Sequence, residues 1–286
     1  MQDDTLPVVS VVMPTYNQAH FLRGAVRSVL LQDFPRWELL VINNFSEDDT
    51  IEVIRSFPDP RIHYEDFQNS GVIAASRNRG IELSRGRFVA FLDSDDLWDP
   101  AKLSTCLGAM REGVDAVCHG MRIREDGVLK RPLIPHPVEG DLYRTLLFRG
   151  NPSIATSSVM IRKECLTMVG GFCEDREIVS SEDYELWLRL ARNGTRFLPL
   201  DTVLGEYTVH RKNASQNIRQ QSNAEAEIVT REFRRIPDTS LSMRIQKKRR
   251  MALAYLRAAR RFQLAGMYRQ AVVPLVKSVR ELLRQQ

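Results

Sequence analysis

The sequence predicts an α/β protein: one mostly parallel sheet covered by helices, followed by a helical C-terminal extension. Three observations carry this. The first half alternates short β-rich runs with helix-patterned stretches, as strand-helix-strand crossovers do. The apolar share of 43% over 286 residues is enough for a large core. The charge is divided: from Arg211 onward there are 18 Lys and Arg against 5 Asp and Glu, whereas the preceding residues hold 23 against 31. An acidic body is thus followed by a basic tail.

VVSVVM (8–13) is an uncharged, β-branched run that reads as a buried strand, and a helix follows through Phe21, Ala25, Val29 and Leu30. WELLVI (37–42) is a second strand, with its helix from Asp48 to Phe57. RIHY (61–64) is a third, followed by a helix from Gly71 to Leu83. RFVAFL (87–92) is a fourth, after which Asp99 and Pro100 read as a helix N-cap and first helical residue. Right-handed crossovers gather the loops after these strands on one sheet edge, where open α/β sheets bind ligands. Between Cys118 and Gly150 the pattern weakens: Asp126-Gly127 is a hairpin turn, and prolines from Pro132 to Pro137 suggest irregular, lid-like structure. TSSVMIR (156–162) returns to strand, and Ser180 to Asn193 is an amphipathic helix that stops before Gly194. Beyond Asn217 the chain is helical and basic, including Lys247-Lys248-Arg249-Arg250, and its last residues suggest a helical hairpin.

No run approaches the roughly 18 apolar residues of a membrane span. The acidic start MQDDTLP is unlike a signal peptide, so a cytoplasmic protein is expected. In that compartment the sequons at Asn193 and Asn213 carry no weight. Cys106, Cys118, Cys165 and Cys173 lack CxxC pairing or a spaced histidine and read as reduced thiols. The basic tail suggests an anionic partner, and without interleaved aromatics a membrane surface suits it better than a nucleic acid; a solvated helical face packed on the catalytic body fits it equally well.

Four loops on the expected edge carry chemistry. After the fourth strand come Asp93-Ser94-Asp95-Asp96, three carboxylates in four residues. Such a like-charge cluster is costly unless a divalent cation neutralises it, and Mg2+ or Mn2+ fits oxygen ligands with room for phosphates. Helix capping by Asp96 or Asp99 accounts for one carboxylate only. After the first strand, Pro14-Thr15-Tyr16-Asn17 offers backbone groups and hydroxyls to a base or ribose, or is an ordinary turn. After the second, Asn43-Asn44-Phe45-Ser46 precedes Glu47-Asp48-Asp49-Thr50, which also reads as a capping sequence. Lastly, Ser180-Ser181-Glu182-Asp183 opens a helix; Ser180 and Asp183 have capping-box spacing, and Asp183 is a candidate general base.

In order, VVSVVMPTYNQ, LLVINNFSEDDT, AASRNRGIELSRGRFVAFLDSDDLWDPAKL, GGF, SEDYELWLRL and YTVH resemble the family 2 glycosyltransferases of GT-A fold, from Val8 to His210. The resemblance implies inverting transfer of a sugar from a nucleotide-diphosphate sugar to a hydroxyl of a glycan or lipid-linked acceptor, in cell-surface polysaccharide or lipopolysaccharide synthesis. It implies a catalytic body over 1–216, with a nucleotide-binding half (1–118) and an acceptor half (119–216), and the basic extension at 217–286. Pro14, Thr15, Tyr16, Asn17, Asn44, Ser46, Arg77, Asp93 and Ser94 would bind the nucleotide sugar. Asp93, Asp95 and His210 would meet the metal. Asp183 would be the catalytic base, with Glu182 and Trp187 on the acceptor side, although Trp187 also reads as a core residue. Relatives tend to have DDGS where this chain has NNFS, so the base is less sharply implied: uridine is favoured, and guanosine and deoxythymidine stay open. Phe45 in place of glycine disfavours a positive φ and predicts an altered turn. Two other readings fit parts of the pattern: a non-catalytic sugar- or nucleotide-binding protein, and a nucleotidyltransferase, although PTYNQAHFLRG lacks the glycine-rich phosphate loop the latter would show.

Overall fold

The computed structural model describes residues 6–210, 217–238 and 240–283. The alternation appears in its expected order: β1 (Val9–Thr15), α1 (Ala19–Leu30), β2 (Trp37–Asn43), α2 (Thr50–Arg55), β3 (Ile62–Asp66), α3 (Ile73–Leu83) and β4 (Phe88–Phe91). Next come β5 (Leu97–Trp98), α4 (Lys102–Ala109), β6 (Ala116–Glu125), β7 (Val128–Leu133), α5 (Leu142–Arg149), β8 (Met160–Arg162), α6 (Lys163–Val169), α7 (Glu182–Arg192) and β9 (Phe197–Val209). The chain closes with α8 (Ile218–Arg235), α9 (Leu241–Leu264) and α10 (Tyr268–Leu283).

The strands form one sheet in the order β3-β2-β1-β4-β8-β6-β9-β5, with β7 paired to β6. The first four are mutually parallel, and β1 and β2 are buried along their whole length, which is why they read as unbroken apolar runs. Past β4 the sheet is mixed: β8 runs antiparallel to β4 and β6, whereas β9 runs parallel to β6. Helix α3 lies close on β1. A Cβ added at Gly80 would stand 2.3 Å from Val12 Cγ1, so only glycine permits this approach.

Three local expectations are corrected. The region from Cys118 to Gly150 is ordered: β6 and β7 form a hairpin around Asp126 (φ 49°) and Gly127 (φ 77°), and α5 follows. Strand character was masked there because β7 is exposed and carries charges. Asp99 does not cap α4 with its side chain, since Arg122 takes both its carboxylate oxygens. Strand character over 156–162 is confined to Met160–Arg162, after a 3-10 turn at Thr156–Ser158.

The molecule divides into two compact units. One comprises Met1–Glu139, Pro152–Phe172 and Arg189–His210; the other comprises Gly140–Asn151, Cys173–Leu188 and Arg211–Gln286. The boundary read near residue 216 and the sequon at Asn213 fall outside the described residues. In the second unit α9 and α10 form the anticipated hairpin, close-packed through Ala259, Phe262 and Ala271, with Ser278 Oγ donating to Ala252 O at 3.0 Å. The basic run of α9 is partly internal. Arg250 is buried, donating Nε to Leu147 O at 2.7 Å and Nη2 to Glu225 Oε1 at 2.8 Å. Lys247 Nζ donates to Phe233 O at 2.9 Å and to Ile236 O, closing the C-terminal end of α8. Among the described residues no helix is long and apolar enough to cross a membrane.

Candidate active site

Strand register gathers the chemistry-bearing loops. Thr15 lies beside Asn43 and Asn43 beside Asp66, while Val12 pairs with Phe91. Leu92 N–H then donates to Val12 O at 3.0 Å, so the chain leaving β4 enters Asp93 next to the end of β1.

Asp93 to Asp96 make a tight turn, closed by Asp96 N–H donating to Asp93 O at 3.0 Å. Each carboxylate has its own partner. Arg77, buried on α3, donates Nη2 to Asp93 Oδ1 at 2.8 Å. His210, one residue past β9, holds Nε2 2.9 Å from Asp95 Oδ2. The imidazole stacks on Phe21 of α1, with ring centroids 4.6 Å apart. Asp96 is 1% exposed and accepts from Ser157 Oγ and, at 3.0 Å, from Thr208 N–H. Ser157 Oγ also accepts from Asp93 N–H at 3.1 Å, so one hydroxyl ties both ends of the turn.

The electrostatics separate these acids. Burial, then the Asp93 charge, pushes the Asp95 carboxyl above the usual range, against the pull of His210. Burial, then the charges of Asp95 and Asp93, drives Asp96 further up. Asp96 faces inward as a support for the turn, whereas the side chains of Asp93 and Asp95 keep 25% and 11% exposure.

The two nucleoside-side loops are tied to each other. Asn17 N–H donates to Ser46 Oγ and Asn17 Oδ1 accepts from Glu47 N–H, both at 2.8 Å. Asn43 is fully buried and accepts from Ser46 Oγ at 2.6 Å while donating to Asp66 Oδ1 at 2.7 Å. Asn44 Oδ1 accepts from Asn69 N–H at 2.9 Å, and Asn44 N–H donates to Thr15 O. Thr15 Oγ1 is buried without a hydrogen-bond partner, and Tyr16 is half exposed. Ser94 Oγ contacts Gln18 Oε1 at 3.3 Å. Phe45 adopts φ 53° with its ring exposed, so the positive φ that its side chain disfavours is present all the same. Asp48 does cap, accepting from Thr50 at α2 and from Ala19 N–H at α1.

Helix α7 carries the other candidates. Its first turn is bonded from Glu185 N–H to Ser181 O at 3.2 Å, and Ser180 has φ 73°. Ser181 therefore occupies the cap, so the Ser180-Asp183 spacing is one residue out of register with a capping box. Asp183 is half-buried and accepts from Tyr184 N–H at 2.7 Å. Glu182 is buried. Trp187 is 0% exposed, so its ring belongs to the core and has no face for a sugar, contrary to an acceptor-side role.

Sequence reasoning missed Ser157, Gln18 and Phe21. Ser157 lies 61 residues from Asp96 and is brought there by the β8 return, with no local signal. Phe21 had a signal, the apolar stripe of α1, but its contact with His210 is purely tertiary.

The family model described as Glycosyl transferase family 2 matches residues 10–168. The chain is 32% identical to the putative teichuronic acid biosynthesis glycosyltransferase TuaG of Bacillus subtilis, over 74% of this chain and 82% of that one. It is 30% identical to the Escherichia coli UDP-Glc:alpha-D-GlcNAc-diphosphoundecaprenol beta-1,3-glucosyltransferase WfgD, over 75% and 81%. In fold it resembles the mannosyltransferase PcManGT of Pyrobaculum calidifontis, solved with GDP-Man and Mn2+, at TM-score 0.62 and 18% identity, covering 96% of this chain and 76% of that one. It also resembles S. aureus TarS 1–349, solved with UDP-GlcNAc, at TM-score 0.59 and 18% identity, covering 95% and 89%. A parallel sheet edge that ends in an acidic turn, within a matched region spanning more than half of the sequence, makes this chain a glycosyltransferase of family 2 with a GT-A fold.

Proposed function

We propose that the protein moves a sugar, with inversion, from a nucleotide-diphosphate sugar to a hydroxyl of a glycan or lipid-linked acceptor during cell-surface polysaccharide synthesis, at the cytoplasmic side of the membrane. The observation that carries the reading is the Asp93-Asp95 turn, whose two part-exposed carboxylates sit beside a third that is buried. The relatives' names support the donor and acceptor classes: a UDP-glucose donor and a diphosphoundecaprenol acceptor for WfgD, UDP-GlcNAc bound to TarS, GDP-Man to PcManGT.

The acidic turn fits a divalent cation. Asp93 and Asp95 supply hard oxygen donors, and His210 supplies a nitrogen that Mn2+ accepts more readily than Mg2+. The ion's remaining ligands would be water and the oxygens of a diphosphate. Bound there, such an ion would act as a Lewis acid on the departing diphosphate. Arg77 is placed to hold Asp93 and to add positive charge beside phosphates. With its oxygen engaged by Asn69, Asn44 presents N–H donors, which suit a carbonyl of uracil. The general base is assigned to Asp183, because an acceptor hydroxyl must lose its proton as the new bond forms.

The test is a panel of UDP-glucose, UDP-GlcNAc and GDP-mannose with Mn2+, read as released nucleoside diphosphate. Asp183→Asn should lower turnover about a thousandfold while leaving donor-induced thermal stabilisation in place. Asp95→Ala should remove the Mn2+-dependent part of that stabilisation. Absence of a metal-dependent response to any nucleotide would sink the proposal.

A further inference from the structure

The last helix carries an apolar face that the second unit leaves uncovered. On α10, Ala271, Pro274 and Ser278 are buried against α9. Tyr268, Val272, Leu275, Val276 and Val279 recur at i, i+4, i+7, i+8 and i+11, and so share one stripe. Each is between 42% and 69% exposed. At the turn before α10, Leu264 and Met267 are exposed at 79% and 45% and extend the apolar surface. Arg269 and Arg280 are exposed along the stripe's border, whereas Lys277 is turned towards α9, with Nζ 5.5 Å from the Tyr255 ring centroid. Over residues 241–283 there are 11 Lys and Arg and a single acid, Glu281.

We infer that α10 is the membrane-contacting face of this protein, inserting its apolar stripe into the interface of an anionic lipid leaflet while the flanking cations meet the headgroups. Charge chooses between occupants. A second copy meeting this face about a two-fold axis would set each cation row against a like row. An anionic lipid surface complements both features at once, and a stripe one helix wide with a cationic border is the form interfacial helices take. The polybasic run Lys247 to Arg250 contributes less than its sequence suggests, because Lys247 and Arg250 are committed inside the unit. The inference deepens the proposed reaction, since it puts the enzyme on the surface where a lipid-linked acceptor lies.

Flotation of the full chain with phosphatidylcholine vesicles, with and without phosphatidylglycerol, tests it. The chain should float with the anionic vesicles, and added salt should weaken this. Val272→Asp with Val276→Asp should reduce partition about tenfold or more, and Tyr268→Ser with Val279→Asp should act likewise, with helicity by circular dichroism unchanged. Arg269→Ser with Arg280→Ser should reduce binding to anionic vesicles only. The inference is overturned if the wild-type chain floats with neither vesicle, if both apolar pairs float like wild type, or if wild type is a dimer that Val272→Asp with Val276→Asp converts to a monomer. Thermal shift with Mn2+ and UDP, GDP or dTDP on the same samples separates the two proposals: vesicle binding without a response to any of these nucleotides rejects the reaction and keeps the surface.

Discussion

The acidic turn shows how three neighbouring residues of one type come to hold different states. Asp93 is held by Arg77 and Asp95 faces His210, whereas Asp96 is enclosed by Ser157 and Thr208. Both Asp95 and Asp96 have carboxyls raised by burial first and by neighbouring charge second. A folded-state pKa above the unfolded value means the folded state binds protons more tightly, so this stabilisation is present below about pH 4 and is lost as pH rises through the raised values. The gain in melting temperature from Mn2+ with a nucleotide should therefore grow as pH rises above the ordinary carboxylate range, and Asp95→Asn should flatten that trend. A gain independent of pH in wild type would contradict the assignment. Phe45 offers a second test. A left-handed non-glycine residue carries about 1–2 kcal/mol of steric strain, against about 0.5–1 kcal/mol of extra chain entropy lost by glycine. Phe45→Gly should consequently stabilise the protein by about 0.5–1 kcal/mol in urea unfolding, and a clear loss of stability would refute the strain argument.

At the scale of elements, α3 joins packing to site geometry. Gly80 lets the helix press on Val12 of β1, and Arg77 on the same helix reaches Asp93. Gly80→Ala places a methyl group against a buried side chain, which forces overpacking of about 1–3 kcal/mol. It should lower the urea midpoint by that amount and also weaken donor binding, because α3 must lift and carry Arg77 with it. Lost stability with unchanged donor affinity would show that Arg77 adjusts independently. Helix α7 is a contrasting case. Its sequence shows a strong amphipathic stripe, but the choice of Trp187 for the core and Asp183 for partial exposure follows from what packs around the helix.

At the scale of the whole molecule, the C-terminal helices are part of a folded unit. Segments 140–151 and 173–188 cluster with them, and Arg250 of α9 bonds Leu147 O of α5 and Glu225 of α8. A chain ending at residue 216 would strip α5 and the start of α7 of these partners and expose buried residues' contacts, such as those of Leu146, Leu147 and Tyr184. Such a truncation should aggregate or unfold at least about 10 °C lower than the full chain in differential scanning fluorimetry. Equal thermal stability would mean the extension is a true appendage. The sequence by itself determined the parallel strands β1 to β4, the turn at Asp126-Gly127, the helical hairpin and the acidic turn at a strand end. These depend on periodicity, turn chemistry and like-charge clustering, all of which are local. The tertiary structure alone decided that Ser157 supports Asp96, that Phe21 backs His210, that the polybasic run is half internal and that α10 keeps an open apolar face. Those outcomes depend on which distant segments the sheet order and helix packing bring together, and no local pattern encodes that pairing.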